Sequence, residues 1–91
     1  MKIVLLAATQ AEARKQAADA GLKPHSRDII CPGSIELLYG ITLHEEDLVM
    51  EFPGFRDRPD AKVILQMVKH CIAKSPDAGP VWRTAGEPSR V

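Results

Sequence analysis

A chain of 91 residues is long enough for one domain with a modest hydrophobic core, and its 12 lysines and arginines balance its 12 aspartates and glutamates. A neutral chain has no general field that attracts nucleic acid or an anionic membrane. Aromatic residues make up 4% of the chain, which is too few for a base-stacking platform. Neither nucleic acid nor an anionic membrane is therefore expected as a partner. Two cysteines are too few for a disulfide framework and favour a reduced, cytoplasmic protein.

The chain opens with a predicted strand that leads directly into a predicted helix. Residues 2–8 form a run that is apolar after Lys2, and an alanine-rich helical pattern starts after it at Thr9. Thr9 and Glu12 have the spacing of a capping box, in which the Thr9 hydroxyl accepts a hydrogen bond from the Glu12 amide. Gly21 favours the left-handed conformation that ends many helices. This unit is typical of the start of an open parallel α/β sheet, whose ligands bind at the carboxyl ends of the strands.

Three more strands and two more helices are predicted after Gly21. The strands are at residues 27–31, 48–52 and 81–84, the short helix is at 35–39, and the long helix runs from Pro59-Asp60 to Lys74. Ser34 is placed to cap the short helix. The acidic residues of the connection at 41–47 are expected in solvent, and Glu51 is expected to face outward at the margin of the sheet.

This order of elements predicts a small three-layer Rossmann-like open sheet. Short right-handed crossovers give about four mostly parallel strands, two main helices and one short helix. We expect the spatial strand order 2-1-3-4, with 3-2-1-4 as the alternative. Residues 1–84 form the single predicted α/β domain, and residues 85–91 have the composition of a flexible tail.

Three loops gather at the carboxyl edge of such a sheet and form a candidate ligand site. Thr9 and Gln10 follow the first strand, Ser34 starts the short helix, and Arg56 and Arg58 flank the crevice. Amides at helix starts and guanidinium groups are good partners for phosphate or carboxylate. These five residues predict a degenerate nucleotide-binding or phosphorylated small-ligand domain, unless the helix starts are ordinary caps and the arginines ordinary solvated charges.

No catalytic, cofactor or metal motif accompanies these residues. The phosphate-binding patterns G-x-x-x-x-G-K-[ST] and G-x-G-x-x-G are both missing. His25, His44 and His70 lack metal-ligand spacing with one another and with the cysteines. Ser34 lacks the G-x-S-x-G elbow of serine hydrolases. The sequence therefore predicts a protein that is not an enzyme and takes no cofactor or metal.

A predicted loop carries an aromatic residue close to two arginines. Phe55 lies between Gly54 and Arg56, with Arg58 nearby, and an exposed aromatic residue flanked by arginines is typical of interface hot spots. Phe55, Arg56 and Arg58 therefore predict a surface for a protein partner. The alternative is that Phe55 folds back over the end of the sheet. Trp82, on the predicted edge strand, either covers the core or pairs that edge with a second copy of the chain.

The start of the chain resembles part of a helicase. Residues 2–21, with Ala-Thr-Gln-Ala-Glu-Ala-Arg after the strand, resemble the first strand-helix unit of the second RecA-like lobe. The arginine-finger and nucleotide motifs of that lobe cannot be placed on later residues. The resemblance therefore implies no ATPase activity.

Residues 1–75 resemble small orphan Rossmann-like proteins of actinobacterial phages. The shared features are the strand-helix start, the Pro32-Gly33-Ser34 turn, the short helix that ends at Gly40, and the segment Phe55–Asp60. The family has no assigned activity, and the resemblance implies expression in the bacterial cytoplasm and a role in modifying host processes. Our first hypothesis is a non-enzymatic module of phage origin that binds a host or phage protein, and the small-ligand domain is the alternative.

Overall fold

The computed structural model describes residues 1–23, 26–75 and 79–84; the predicted tail at 85–91 lies outside them. In this part of the chain the strands are β1 (Ile3–Leu6), β2 (Ile29–Ile30), β3 (Leu48–Glu51) and β4 (Val81–Thr84), and the α-helices are α1 (Gln10–Asp19) and α2 (Ala61–Ala73). Two 3-10 segments, turn A (Ile35–Leu38) and turn B (Phe55–Asp57), connect them. None of the described helices is long and apolar enough to cross a membrane.

The strands form one parallel sheet in the order β2-β1-β3-β4, which confirms the predicted order 2-1-3-4 and a small α/β Rossmann-like fold. β1 is central, since Val4 is in register with Ile30 of β2 and with Val49 of β3. β4 lies beside β3, with Trp82 opposite Val49. β2 and β4 are therefore the edge strands of the sheet.

The two faces of the sheet have separate cores, because successive residues of a strand point to opposite faces. We call the face covered by α2 and turn A the α2 face, and the opposite one the α1 face. The core of the α2 face includes Val4, Leu6, Val49, Phe55, Ile64 and Val68. The core of the α1 face consists of Leu5, Ala7, Ala13, Ala17 and Cys31. The alanines allow α1 to approach the sheet closely.

Part of the α1 face, near β3 and β4, is left open by the described elements. Leu48, Met50 and Phe52 are half-buried and border a hollow of about 280 Å³. Val81 of β4, in register with Leu48, is 49% exposed beside them. We call these four residues the open strip.

Both sequence signals that bound α1 are present. The Thr9 hydroxyl accepts a hydrogen bond from the Glu12 amide at 3.0 Å. Gly21, just after the helix, has a φ of 79°. The Glu12 carboxylate accepts from the Gln16 side chain at 3.4 Å. The capping residue thus stands directly after the carboxyl end of β1, as the sequence predicts.

Asp47 is buried, which corrects the expectation that the acidic residues of the 41–47 connection lie in solvent. Its carboxylate accepts hydrogen bonds from the Lys2 amide at 2.7 Å and the His44 amide at 2.8 Å. Burial raises the pKa of this carboxyl, but the two amides and the charges of Lys2 and the amino terminus outweigh it and leave the pKa below its ordinary value. Asp47 therefore joins the start of β1 to the segment that precedes β3.

Phe55 is buried, which corrects the prediction that it contacts a partner protein. Gly54 has a φ of 88°, a left-handed conformation that favours glycine, and the chain then turns into turn B where a loop was expected. The Phe55 side chain is 0% exposed and belongs to the core of the α2 face. The alternative, in which Phe55 folds back into the protein, is the one observed.

We expect Phe55→Ala to lower the free energy of unfolding by about 3–5 kcal/mol, because it removes a fully buried ring and leaves a cavity. Tyr39→Ala is the matched control, since Tyr39 is 58% exposed, and it should change stability by less than about 0.5 kcal/mol. Urea denaturation of both variants and the wild type measures the difference. Equal losses would contradict this position of Phe55.

Candidate functional site

The side chain of Arg58 lies at the carboxyl edge of the sheet, where the sequence predicts a ligand site. Its Nε and Nη2 donate to the two carboxylate oxygens of Asp60 at 2.8 and 3.0 Å. Nη1 donates to the carbonyls of Ala7 and Pro32, both at 3.3 Å, and Nη2 donates to the carbonyl of Gly33 at 3.0 Å. The side chain is only 11% exposed.

These contacts use all five N–H donors of the guanidinium group. Arg58 therefore has no donor left for the ligand or partner that the sequence assigns to it, which corrects that role. It joins the carboxyl ends of β1 and β2 to the start of α2. A hollow of about 590 Å³ beside it is also lined by Asp57 and Asp60, whose carboxylates disfavour a bound phosphate or carboxylate.

Glu51 and Arg56 form a bidentate ion pair near the same edge. Nε of Arg56 donates to Oε2 of Glu51 at 2.7 Å, and Nη2 donates to Oε1 at 3.1 Å. Glu51 is buried, which corrects the expectation that it faces outward, whereas the side chain of Arg56 is 67% exposed. The hydrogen bond from Arg56 lowers the pKa of the Glu51 carboxyl, and burial raises it. The charge of the guanidinium group and a hydrogen bond from the Trp82 indole also lower this pKa, which lies below its ordinary value. A role for the exposed Arg56 in binding stays a prediction.

The other three predicted ligand residues use their polar groups within the chain. Thr9 caps α1. The Ser34 hydroxyl accepts a hydrogen bond from the Glu36 amide at 3.4 Å, and Ser34 thereby caps turn A. Turn A has only four residues, which is too short for an anion site at a helix start. Gln10 lies against Gly33 and donates to the Cys31 carbonyl at 2.9 Å. The predicted residues do gather near the ends of β1 and β2, but as an internal network.

A cavity of about 390 Å³ lies beside the edge strand β2, and we call it the β2 cavity. Its apolar lining consists of Ile29, Ile30, Leu37 and Ile41, and its charged lining consists of Lys2, Arg14 and Arg27. Gln10, Ser26 and Cys31 complete the described lining, which contains no acidic residue. Sequence reasoning missed this site because its residues are spread between positions 2 and 41 without a shared motif.

Comparisons with known proteins identify no relative of this chain. No protein-family model matches it, no curated protein matches it, and no solved structure matches it. The resemblances to phage orphan proteins and to the RecA-like lobe therefore stay predictions. Within residues 1–23, 26–75 and 79–84, no group of three or more His, Cys, Asp or Glu side chains is arranged to hold a metal ion.

We expect Arg58→Lys to lower the free energy of unfolding by about 2–3 kcal/mol, because an ammonium group cannot replace the planar guanidinium fork and leaves carbonyls without donors. Arg83→Lys is the matched control, since Arg83 is exposed on β4, and it should cost less than about 0.5 kcal/mol. Urea denaturation compares the two. If both arginines tolerate lysine equally well, Arg58 is an ordinary solvated charge.

The Glu51–Arg56 pair should make stability depend on pH in acid. Because the pKa of Glu51 is lower in the folded chain than in the unfolded chain, the unfolded state takes up its proton first as the pH falls. The stability that this group contributes is complete above the ordinary glutamate pKa, about 4.3, and is lost as the pH falls through the lower folded value.

We therefore expect Glu51→Gln to reduce the slope of unfolding free energy against pH between about pH 5 and pH 3. Glu46→Gln, at an exposed carboxylate, should keep the wild-type slope. Urea denaturation at a series of pH values measures both slopes. An unchanged slope in Glu51→Gln would show that the pair adds no pH-dependent stability.

Proposed function

We propose that this chain is a small non-enzymatic interaction module that pairs with a second copy of itself through the edge of β4. The observation that carries the proposal is a strand edge, bordered by the open strip, that no other described strand pairs with. Phe55 and Arg58 offer no exposed ring and no free donor, which leaves Arg56 as the exposed residue of the predicted surface and favours a contact surface elsewhere. The β4 edge and the open strip together provide backbone groups and apolar area for a protein contact.

One side of β4 has no neighbouring strand among the described elements. On the other side, the Val81 amide donates to the Asp47 carbonyl, just before β3, at 3.1 Å. In a parallel ladder alternate residues direct both backbone groups to the same neighbour, so those of Trp82 and Thr84 point away from β3. Such unpaired groups are a template on which another strand can add.

The open strip supplies apolar surface beside this edge. A strand added to β4 extends the α1 face, and its side chains on that face cover Val81 first, because Val81 is on the edge strand. Apolar area removed from water contributes about 25 cal/mol per Å². The backbone bonds then orient the contact, and burial of Val81 adds to its stability.

A second copy fits this edge in an antiparallel register. A two-fold axis perpendicular to the sheet places residues of the α1 face opposite one another. With Trp82 opposite the second copy's Trp82, each amide donates to the other carbonyl, and Val81 lies opposite the second copy's Arg83. A register centred on Arg83 places two guanidinium groups opposite each other, which is unfavourable. The zero net charge adds no general repulsion between copies.

We expect the wild-type chain to sediment as a dimer at high micromolar concentration. Val81→Lys should weaken the dimer about tenfold, because the new lysine lies opposite Arg83 twice in each dimer. Val81→Glu, which is opposite the same arginine, should bind more tightly than Val81→Lys. Sedimentation equilibrium measures the three dissociation constants.

Val63→Lys is the matched control, because Val63 on α2 is 48% exposed and Val81 is 49% exposed. It should leave the dissociation constant unchanged. A wild-type chain that stays monomeric at every concentration would overturn the proposal. So would equal dissociation constants for Val81→Lys and Val81→Glu, because the register would then be wrong.

A further inference from the structure

We propose that the β2 cavity binds a small organic anion, with its carboxylate or phosphate on Arg14 and Arg27 and an apolar body against the isoleucine and leucine side chains. This site is separate from the β4 edge, because β2 and β4 are opposite edges of the sheet. It also differs from the predicted ligand site, of whose five residues only Gln10 lines this cavity.

The cations of the cavity are available to a ligand. The side chains of Arg14 and Arg27 are exposed and form no hydrogen bond or ion pair with any residue in the described part of the chain. Lys2, half-buried beside them, contributes positive charge that also acts on Asp47. Guanidinium groups match the planar oxygens of carboxylate and phosphate and bind them with two parallel hydrogen bonds.

The apolar lining determines which anions fit. Ile29 and Ile30 of β2 line the cavity together with Leu37 of turn A and Ile41 just after it. A volume of about 390 Å³ falls within the range of small-molecule sites. A bare ion leaves this apolar surface in water, whereas an aryl or alkyl group covers it. The lining therefore favours an organic anion over inorganic phosphate.

Two outward backbone groups at the edge of β2 are already satisfied within the chain, which disfavours an added strand there and favours a small molecule in the cavity. The Ile29 amide donates to the Ser26 carbonyl at 3.1 Å, and the Cys31 carbonyl accepts from Gln10 at 2.9 Å. These bonds satisfy backbone groups that an incoming strand needs. The edge of β2 thus differs from the edge of β4, where the outward groups of Trp82 and Thr84 have no partner within residues 1–23, 26–75 and 79–84.

The thiol of Cys31 does not compete with a ligand for the cations. Burial raises its pKa, and the nearby charge of Arg14 lowers it by less, so the thiol is neutral at pH 7. No described lining residue supplies a negative charge. The positive charge of Arg14 and Arg27 is therefore left for a ligand to neutralise.

The test is an NMR titration of the full ¹⁵N-labelled chain with 3-phenylpropionate, phenyl phosphate, 3-phenyl-1-propanol and inorganic phosphate. We expect at least one of the two aromatic anions to shift the amides of Ile29, Ile30 and Cys31 with a saturable dissociation constant. The tighter of the two identifies the preferred anionic group. The neutral alcohol and inorganic phosphate should each bind at least tenfold more weakly.

Arg14→Gln and Arg27→Gln should each weaken binding of the aromatic anion at least tenfold. Arg83→Gln, on the opposite edge, is the matched control and should leave it unchanged. Leu37→Ser, at a residue that is 47% exposed, should weaken binding of the aromatic anions but not of inorganic phosphate. Amide spectra of all four variants confirm that each is folded.

Three results of the ligand titrations would overturn the proposal: no saturable shift with either aromatic anion, equal binding of the neutral alcohol, or equal binding of inorganic phosphate. Loss of binding in Arg83→Gln as large as in Arg14→Gln would also overturn it, because the effect would then be general charge attraction. Sedimentation of the Val81 variants is independent of these titrations, so failure of one proposal leaves the other intact.

Discussion

The five N–H groups of Arg58 are shared between the Asp60 carboxylate and three backbone carbonyls. This sharing matters because β2 is only two residues long and its ladder with β1 is correspondingly short. Ala7 follows β1, and Pro32 and Gly33 lie just after β2, so one guanidinium group holds both strand ends against the start of α2. A charged group with little access to water stabilises a fold when all its partners are in place and destabilises it when one is removed. Asp60 supplies the opposite charge that such a position needs.

The same interaction determines where a ligand can bind. In open parallel sheets the crevice outside the carboxyl ends of the strands is the usual ligand site. Here Arg58, Asp60 and Gln10 use their polar groups there on the chain's own carbonyls and on each other. At the amino end, the Asp47 carboxylate performs a comparable structural role on the amides of Lys2 and His44. Arg58, Asp60 and Asp47 are thus engaged internally, and the groups on which the two proposals rest lie instead at the lateral edges, β2 and β4.

The fold could be predicted from the sequence because its signals are local. The contacts of Phe55 and Arg58 at the candidate site could not be predicted in this way. The apolar runs gave the strands, Thr9 and Gly21 gave the bounds of α1, and short connections led to the observed strand order. Phe55 has no such local signal, because its burial depends on the φ of Gly54 and on the position of α2. Arg58 binds backbone carbonyls that are 25 to 51 positions away, and a backbone carbonyl has no signature in a sequence. A sequence does not distinguish an arginine whose N–H donors are available from one whose donors are all used within the fold.

The net charge of zero is another example of what composition alone does not predict. A sum of zero implies no general field, but it says nothing about how the charges are distributed. Arg56 and Arg58 are paired with Glu51 and Asp60, so they add little to the external field. Arg14 and Arg27 form no ion pair with a described residue and lie beside one cavity that has no acid in its described lining. Arg56 and Arg58 thus contribute to contacts within the fold, whereas Arg14 and Arg27 leave positive charge beside the β2 cavity. A neutral chain can therefore have a local concentration of positive charge, provided that its carboxylates lie elsewhere.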